Sequence, residues 1–510
     1  MKCILYLCSL VFLMANCSSP TSTEKPNIIL ISVDDMGWSD LGCYGSEINT
    51  PNIDKLAEDG MRFTNFYNTA KCFPSRACLL TGVYAQDCGY DQTFTNPITN
   101  AVTLGEVLQS AGYLTYWAGK HHGKENPYDR GFDHYFGLKD GAFNHFNPGR
   151  QREGEPKPAQ KRNNRQWAID SILYQPYTPP EKDFYSTDYF TKYALSYLEE
   201  SAESDKPFFL YLAYTAPHDP LMAWPEDIEK YKGKYDLGYE HIRKKRYEKQ
   251  IQLGLIDSTF RLSGPTYTKW DSLPDDQKAY EAKKMEVYAA MIDRIDQNVG
   301  RLLRQLNQFG YADNTIILFV SDNGASAEVV NLKDDDDNAP VGSMGRWISL
   351  GKDWANVSNT PFKFYKNFSY EGGINTPFIA YWPNKIKANS FSGYPGHFID
   401  FMATFVDITK AEYPRTYHGQ EITPLRGQSL LPTFENPGTK RNGPLYWEWR
   451  KGQAMRMDQW KIVRKDKNDP WDLYHIENDP TETHNEAQNN QDVVQELDGL
   501  FQSWKSGYEQ

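Results

Sequence analysis

At 510 residues, with 39% hydrophobic side chains, the chain is long enough for one large domain and a smaller one around a sizeable core. A net charge of −12 argues against nucleic acid as a partner, so an anionic ligand must be held by cations placed locally against the field of the whole protein. Seven cysteines are too few for a disulfide scaffold in a chain of this size.

The first residues stand apart in composition. Lys2 precedes an apolar run from Ile4 to Ala15 that is too short to span a bilayer, followed by Asn16-Cys17-Ser18-Ser19. This resembles a bacterial lipoprotein signal, with residues 1–16 removed and Cys17 lipidated; secretion without a lipid is the alternative. Either way the expectation is export, to the periplasm or outer membrane of a Gram-negative bacterium. Any membrane association then runs through Cys17. Residues 17–25 read as a tether and no later stretch is apolar enough to cross a membrane.

Ile28 to Val33 predicts a strand buried on both faces, followed at once by Asp34-Asp35. The same grammar recurs three times. Tyr113–Ala118 precedes Gly119-Lys120-His121-His122, Phe208–Tyr214 precedes Ala216-Pro217-His218, and Thr315–Val320 precedes Ser321-Asp322-Asn323-Gly324. In a mostly parallel sheet the carboxyl ends of strands share one edge, so these polar groups should converge there. Taken singly, the paired acids could equally be caps or ion pairs, and each histidine a structural one. Between strands the clearest helix runs from about Lys278 to Leu306, with Gly310 as its stop, and the alternation predicts an α/β sandwich.

Between the first two of these strands lies Cys72-Phe73-Pro74-Ser75-Arg76-Ala77-Cys78-Leu79-Leu80-Thr81-Gly82. Pro74 suits a first helical turn and Gly82 a left-handed cap, which puts Cys72 at a helix N-terminus, where partial positive charge favours a developing anion. Arg76 is one turn on. A half-buried thiol before an ordinary helix is the plain alternative. A zinc site from Cys72, Cys78 and Cys88 is not expected, since their spacing is unlike a C-x-x-C knuckle.

Two segments interrupt the pattern: Arg150 to Lys182 reads as a long excursion without periodicity, and Trp224 to Asp275 adds a charged helix. Its basic cluster Arg243-Lys244-Lys245-Arg246 reads as a solvated face, as does the acidic run Asp334 to Asp337. A boundary near Pro432–Gly443 divides residues 26–435 from 436–510. The latter predict three strand-like runs, Leu445–Trp449, Ala454–Val463 and Trp471–Ile476, under one helix.

The Cys72 string resembles the C-x-P-S-R-x-x-L-L-T-G signature of the type I sulfatases, whose motif cysteine is oxidised to formylglycine, an aldehyde. As a hydrate that residue has two hydroxyls on one carbon, one to attack sulfur and one to expel sulfate. The resemblance runs from Pro26 through Thr481. It lies nearest an arylsulfatase-like branch, judged by Tyr231–Tyr239 and Asp353–Phe362. It implies an alkaline-phosphatase-like α/β sandwich with a small C-terminal antiparallel sheet and one helix. It also implies a calcium site from Asp34, Asp35, Asp322, Asn323 and the modified Cys72, with Asp322 also taking the nucleophile's proton. The ligands are all oxygen donors, as a hard cation prefers.

The same resemblance gives Arg76 and Lys120 to the nucleophile and sulfate, His218 with Lys366 to the leaving oxygen, and His122 to the proton lost when sulfate is expelled. Lys120, His218 and Lys366 would also bind substrate. Lys366 precedes Tyr370-Glu371-Gly372-Gly373 as the family's lysine does; His121 stands where the family usually has tryptophan, and Gly123-Lys124 departs from its L-G. Cys43, Cys78 and Cys88 would then remain, able to form one disulfide at most. A formylglycine-generating or anaerobic sulfatase-maturing enzyme is the implied partner during synthesis. The substrate expected is a sulfated glycan, carrying a terminal sulfated galactose or N-acetylhexosamine of mucin or glycosaminoglycan type. Phosphate or phosphonate monoester hydrolysis and a catalytically dead glycan-binding lipoprotein are the competing readings.

Overall fold

The computed structural model describes residues 25–333 and 336–508. The signal segment, Cys17 and nearly all of the tether lie outside the described residues, as do Asp334 and Asp335.

Asn27–Asp34 is fully buried and forms the axis of a ten-stranded sheet. It pairs in parallel with Phe208–Pro217 on one side and Thr315–Ser321 on the other, with Ile29 opposite Leu210 and Ile317. Leu114–Gly119 and His134–Leu138 continue the parallel run. Successive side chains of the axial strand feed opposite cores, as a pleat requires. Ile29, Ile31 and Val33 meet the long helix Asp275–Gln308 through Ile292 and Val299, whereas Ile28 and Leu30 share a cluster with Leu79 and Phe405. An uninterrupted apolar run is what two covered faces demand.

Outside the parallel run the sheet is mixed. On one side Phe378–Tyr381 is antiparallel to both its neighbours, Thr315–Ser321 and Met61–Phe63, and Ser390–Ser392 closes the edge in parallel with Met61–Phe63. On the other, Trp167–Ile169 and Ile172–Tyr174 form a hairpin inside the stretch expected to be a structureless excursion. Trp167 explains the difference: it is completely buried against Phe136 and Phe190, and one such aromatic anchors a short strand that periodicity cannot reveal.

The C-terminal sheet has four strands, not three runs, because Ala454–Val463 turns at Asp458, giving Gly452–Met457 and Trp460–Arg464. Alternation assigns its faces. Met455, Ile462 and Leu473 pack under Leu497 and Phe501 of the helix Gln491–Tyr508, while Trp447, Trp449 and Ala454 pack on the main body.

One further expectation is corrected. Only Lys244 and Lys245 of the basic cluster are solvated; Arg243 and Arg246 are buried, and Arg246 reaches Asp40 Oδ1 at 2.6 Å and Glu47 Oε1 at 2.8 Å. These acids lie some two hundred residues upstream, whereas the solvated Lys244 and Lys245 face the nearby Glu248 at 3.8 and 3.5 Å. Cys43, Cys78 and Cys88 are free thiols. Asp336 and Asp337 are exposed, as expected.

Candidate active site

The helix Cys72–Thr81 starts at Cys72 and closes on Gly82, whose φ of 73° is the left-handed cap anticipated. Its first residue is 1% exposed. The Cys72 thiol lies 3.9 Å from Asp35 Oδ1, so the start of this helix meets the carboxyl end of the axial strand. Asp35 itself has a φ of 65°, in the left-handed region that aspartate tolerates better than most non-glycine residues. Its amide faces Asp322 Oδ1 at 3.3 Å and its carbonyl accepts from the Tyr288 hydroxyl at 3.1 Å.

The four strand ends converge as expected. Lys120 Nζ is paired with Asp34 Oδ2. Arg76 Nε donates to Asp322 Oδ2 at 2.9 Å, and its Nη1 to the Lys120 carbonyl at 3.1 Å. Lys366 Nζ donates to Asp35 Oδ1 at 2.6 Å, and His218 Nε2 faces Asp35 Oδ2 at 3.5 Å, an ion-pair distance too long for a hydrogen bond. Asn323 Nδ2 donates to Asp35 Oδ1 at 2.6 Å.

Ligand atoms of Asp34, Asp35, Cys72 and His218 lie within 4.8 Å of one another. Asp34 Oδ1, Asp35 Oδ2 and Asn323 Oδ1 are buried without a hydrogen-bond donor among the described residues. A buried unpaired oxygen costs roughly 1–3 kcal/mol, and three such oxygens on Asp34, its chain neighbour Asp35 and Asp35's hydrogen-bond partner Asn323 suit a hard cation. Burial, and then the neighbouring Asp34, pushes the Asp322 carboxyl up to about 7 against the pull of Arg76 and Lys120. Asp34 goes the other way: burial would raise it, but Lys120, then His218, Arg76 and Lys366, hold it well below the ordinary range. His218 is raised well above the usual imidazole value by Asp35 and Asp34 against the burial that opposes protonation, so it stands ready as a proton donor.

His122 occupies a different environment. It also has a left-handed backbone, with φ 61°, and its ring packs edge-on against Phe73 and Phe94. Burial and Lys120 keep it neutral, well below the usual value, and its Nδ1 has no hydrogen-bond partner among the described residues. His121 turns instead into an apolar pocket against Trp117, centroids 5.0 Å apart, the kind of place a tryptophan would fill.

Sequence reasoning missed several supporting residues. Asp219 Oδ1 contacts His218 Nδ1 at 2.9 Å, orienting Nε2 toward the pocket; its adjacency to His218 was a readable signal. Lys71 and Glu328, paired at 2.6 Å, flank the cysteine, and Glu328 also lies 3.4 Å from Lys366. Nothing in the pattern marks Glu328. Among the described residues no helix is long and apolar enough to cross a membrane.

A buried cysteine at a helix start, buried oxygens without donors and four surrounding cationic side chains thus meet at one edge of the sheet. A family model described as Sulfatase matches residues 26–411, and one for the C-terminal part of N-sulphoglucosamine sulphohydrolase matches 362–505. The chain is 33% identical to the arylsulfatase of Klebsiella aerogenes over 82% of its length and 94% of that protein. It is 27% identical to the N-acetylglucosamine-6-O-sulfatase of Bacteroides thetaiotaomicron, over 92% of this chain and 85% of that one. The solved structure of Ps i-CgsB with k-i-k-neocarrahexaose superposes with a TM-score of 0.68 at 26% identity, covering 94% of this chain and 93% of that one. The chain belongs to the sulfatase family, and its activity is sulfuric ester hydrolysis.

Proposed function

We propose that this enzyme releases inorganic sulfate from a sulfated glycan, a terminal sulfated galactose or N-acetylhexosamine of mucin or glycosaminoglycan type, using formylglycine made from Cys72 and a calcium ion. The observation that carries the reading is the set of unpaired oxygens on Asp34, Asp35 and Asn323 beside the Cys72 thiol, ringed by Arg76, Lys120, His218 and Lys366. The glycan is supported by the relative that acts on N-acetylglucosamine 6-O-sulfate and by the neighbour solved with an oligosaccharide.

Asp34, Asp35, Asp322 and Asn323 would hold the ion. Bound calcium neutralises sulfate charge, and the aldehyde hydrate supplies one hydroxyl for attack and a second for release. Arg76 and Lys120 form the cationic wall that offsets the chain's negative field. Asp322 takes the nucleophile's proton. Asp219 holds the Nδ1 side of His218, so the imidazolium gives its Nε2 proton to the departing sugar oxygen, aided by Lys366. His122, neutral beside Phe73, is suited to accept the proton lost when sulfate departs. One cation pocket with no second metal cluster among the described residues, and a cysteine in place of Thr or Ser, weigh against the phosphorus ester reading. Export, with or without a lipid on Cys17, and maturation by a formylglycine-generating or anaerobic sulfatase-maturing enzyme complete the proposal.

The test is sulfate release from a panel of defined sulfated mono- and disaccharides by protein whose Cys72 peptide has been weighed. Activity should rise with the fraction showing the thiol-to-aldehyde mass loss and fall reversibly on chelation. Full turnover by unmodified thiol protein, or by protein stripped of divalent metal, would overturn the mechanism.

A further inference from the structure

Lys366, which reaches Asp35 at 2.6 Å, also lines a cavity of about 540 Å³, together with Glu328, Glu281, Lys284, Asp353 and Tyr365. That volume falls within the range of roughly 300–1,000 Å³ typical of small-molecule sites. We infer that this cavity is a subsite for a neutral, unsulfated sugar ring of the glycan, with Glu328 as the residue that both builds its wall and positions Lys366. The inference rests on the leaving-group role proposed for Lys366.

Charge decides the ligand class. The lining lysines, Lys284, Lys352 and Lys366, are matched in number by Glu281, Glu328 and Asp353. Two of the three are already committed: Lys284 to Glu281 at 2.9 Å, and Lys366 to Asp35 at 2.6 Å and Glu328 at 3.4 Å. A second sulfate here would meet carboxylates, whereas sugar hydroxyls can donate to them. Tyr365, half-buried and edge-on to Phe368 at 5.5 Å, supplies an aromatic body of the kind sugars pack against.

Glu328 is placed to couple the two spaces. Besides Lys366, it accepts from Lys71 at 2.6 Å and from Asn367 Nδ2 at 3.1 Å. Asn367 Oδ1 in turn accepts from the Trp449 indole at 3.0 Å, and Trp449 packs edge-on against Phe73, next to the nucleophile. One carboxylate thus ties together the residue before Cys72, the leaving-group lysine and the C-terminal sheet.

The experiment follows inhibition of para-nitrophenyl sulfate hydrolysis by inorganic sulfate and by unsulfated disaccharides: lactose, N-acetyllactosamine and neoagarobiose. At least one disaccharide should inhibit competitively. Val329, exposed at the cavity mouth, can be enlarged without disturbing the core. Val329→Trp should weaken sugar inhibition at least about tenfold relative to inhibition by sulfate, and Glu328→Gln should raise KM for a sulfated disaccharide more than for the aryl sulfate. Inhibition by none of the disaccharides, or equal changes for sugar and sulfate, would overturn the inference. Equal losses for Lys366→Ala on a sulfated disaccharide and on para-nitrophenyl sulfate would instead bring down the leaving-group reading, and this inference with it.

Discussion

Two buried ionic clusters in this protein differ in how completely they are satisfied. Behind the active centre, Lys461 on the C-terminal sheet bonds Glu371 Oε1 at 2.7 Å and Glu482 Oε1 at 2.8 Å. The remaining Glu371 oxygen takes the Tyr67 hydroxyl at 3.0 Å, and the remaining Glu482 oxygen takes the Glu371 amide at 2.8 Å. Every carboxylate oxygen there has a donor. In the active centre, three oxygens of Asp34, Asp35 and Asn323 have none among the described residues. Both clusters are almost wholly excluded from water, so burial does not separate them. A closed network holds two parts of a fold together, while an open one stores binding capacity at a cost in stability.

Removing the cysteine of the open cluster should therefore abolish function and spare the fold. Cys72→Ala should lower turnover by more than about 10³-fold, with a thermal midpoint within a few degrees of the parent, because the thiol makes only a 3.9 Å contact with Asp35. Asp322→Ala should lower turnover as far but also destabilise, because it strips buried Arg76 of its partner at 2.9 Å. A midpoint collapse in Cys72→Ala would show that this centre, too, is structural. His218→Ala should cost about 10²–10⁴-fold on sugar sulfates and much less on para-nitrophenyl sulfate, whose phenolate leaves without a proton. Equal losses on both substrates would contradict the role given to Nε2.

The same contrast explains what could be read in the sequence. Strand-end motifs were legible because each couples a buried apolar run to polar residues at one predictable edge, so the convergence of Asp34, Lys120, His218 and Asp322 follows from strand order alone. The closed cluster has no such signal. Tyr370-Glu371-Gly372-Gly373 served only as a landmark for Lys366, yet Glu371 anchors the C-terminal sheet, and a Cβ on Gly324 would come within 2.0 Å of the Gly372 carbonyl. The glycines in these two motifs therefore answer to each other through a backbone contact. Glu328, Arg246 and Trp167 were missed for a shared reason: their partners lie far off in sequence, and no local period or spacing encodes such pairs.

Breaking the closed cluster should have the opposite signature. Lys461→Met leaves two buried carboxylates facing an apolar side chain, and removing one partner of a buried pair costs about 3–5 kcal/mol. Denaturant unfolding should register that loss, whereas kcat per folded molecule should change little. A fall in kcat without destabilisation would mean that the sheet tunes the centre directly, through the Trp449 contact.

The finest test uses pH. Two glutamates share Lys461; burial, and then the charge of Glu371, raises the Glu482 carboxyl from an ordinary 4.5 to about 7. An acid raised on folding binds more protons in the native state between those values, so its contribution is intact below the lower one and is lost as pH climbs through the window. Stability should decline from about pH 5 to about pH 8, by a few kcal/mol at most, since a tenfold change in a proton affinity is worth about 1.4 kcal/mol. Glu482→Gln removes the titration while keeping the side chain's length. Its melting curve should be flatter across that window, with the deficit against the parent largest at the acidic end. Asp322 is also raised to about 7. Parent and variant share Asp322, so its titration cancels and leaves Glu482 as the difference between them. Parallel pH profiles for parent and variant would mean that Glu482 remains ionised, with Lys461 and its hydrogen bonds fully outweighing burial.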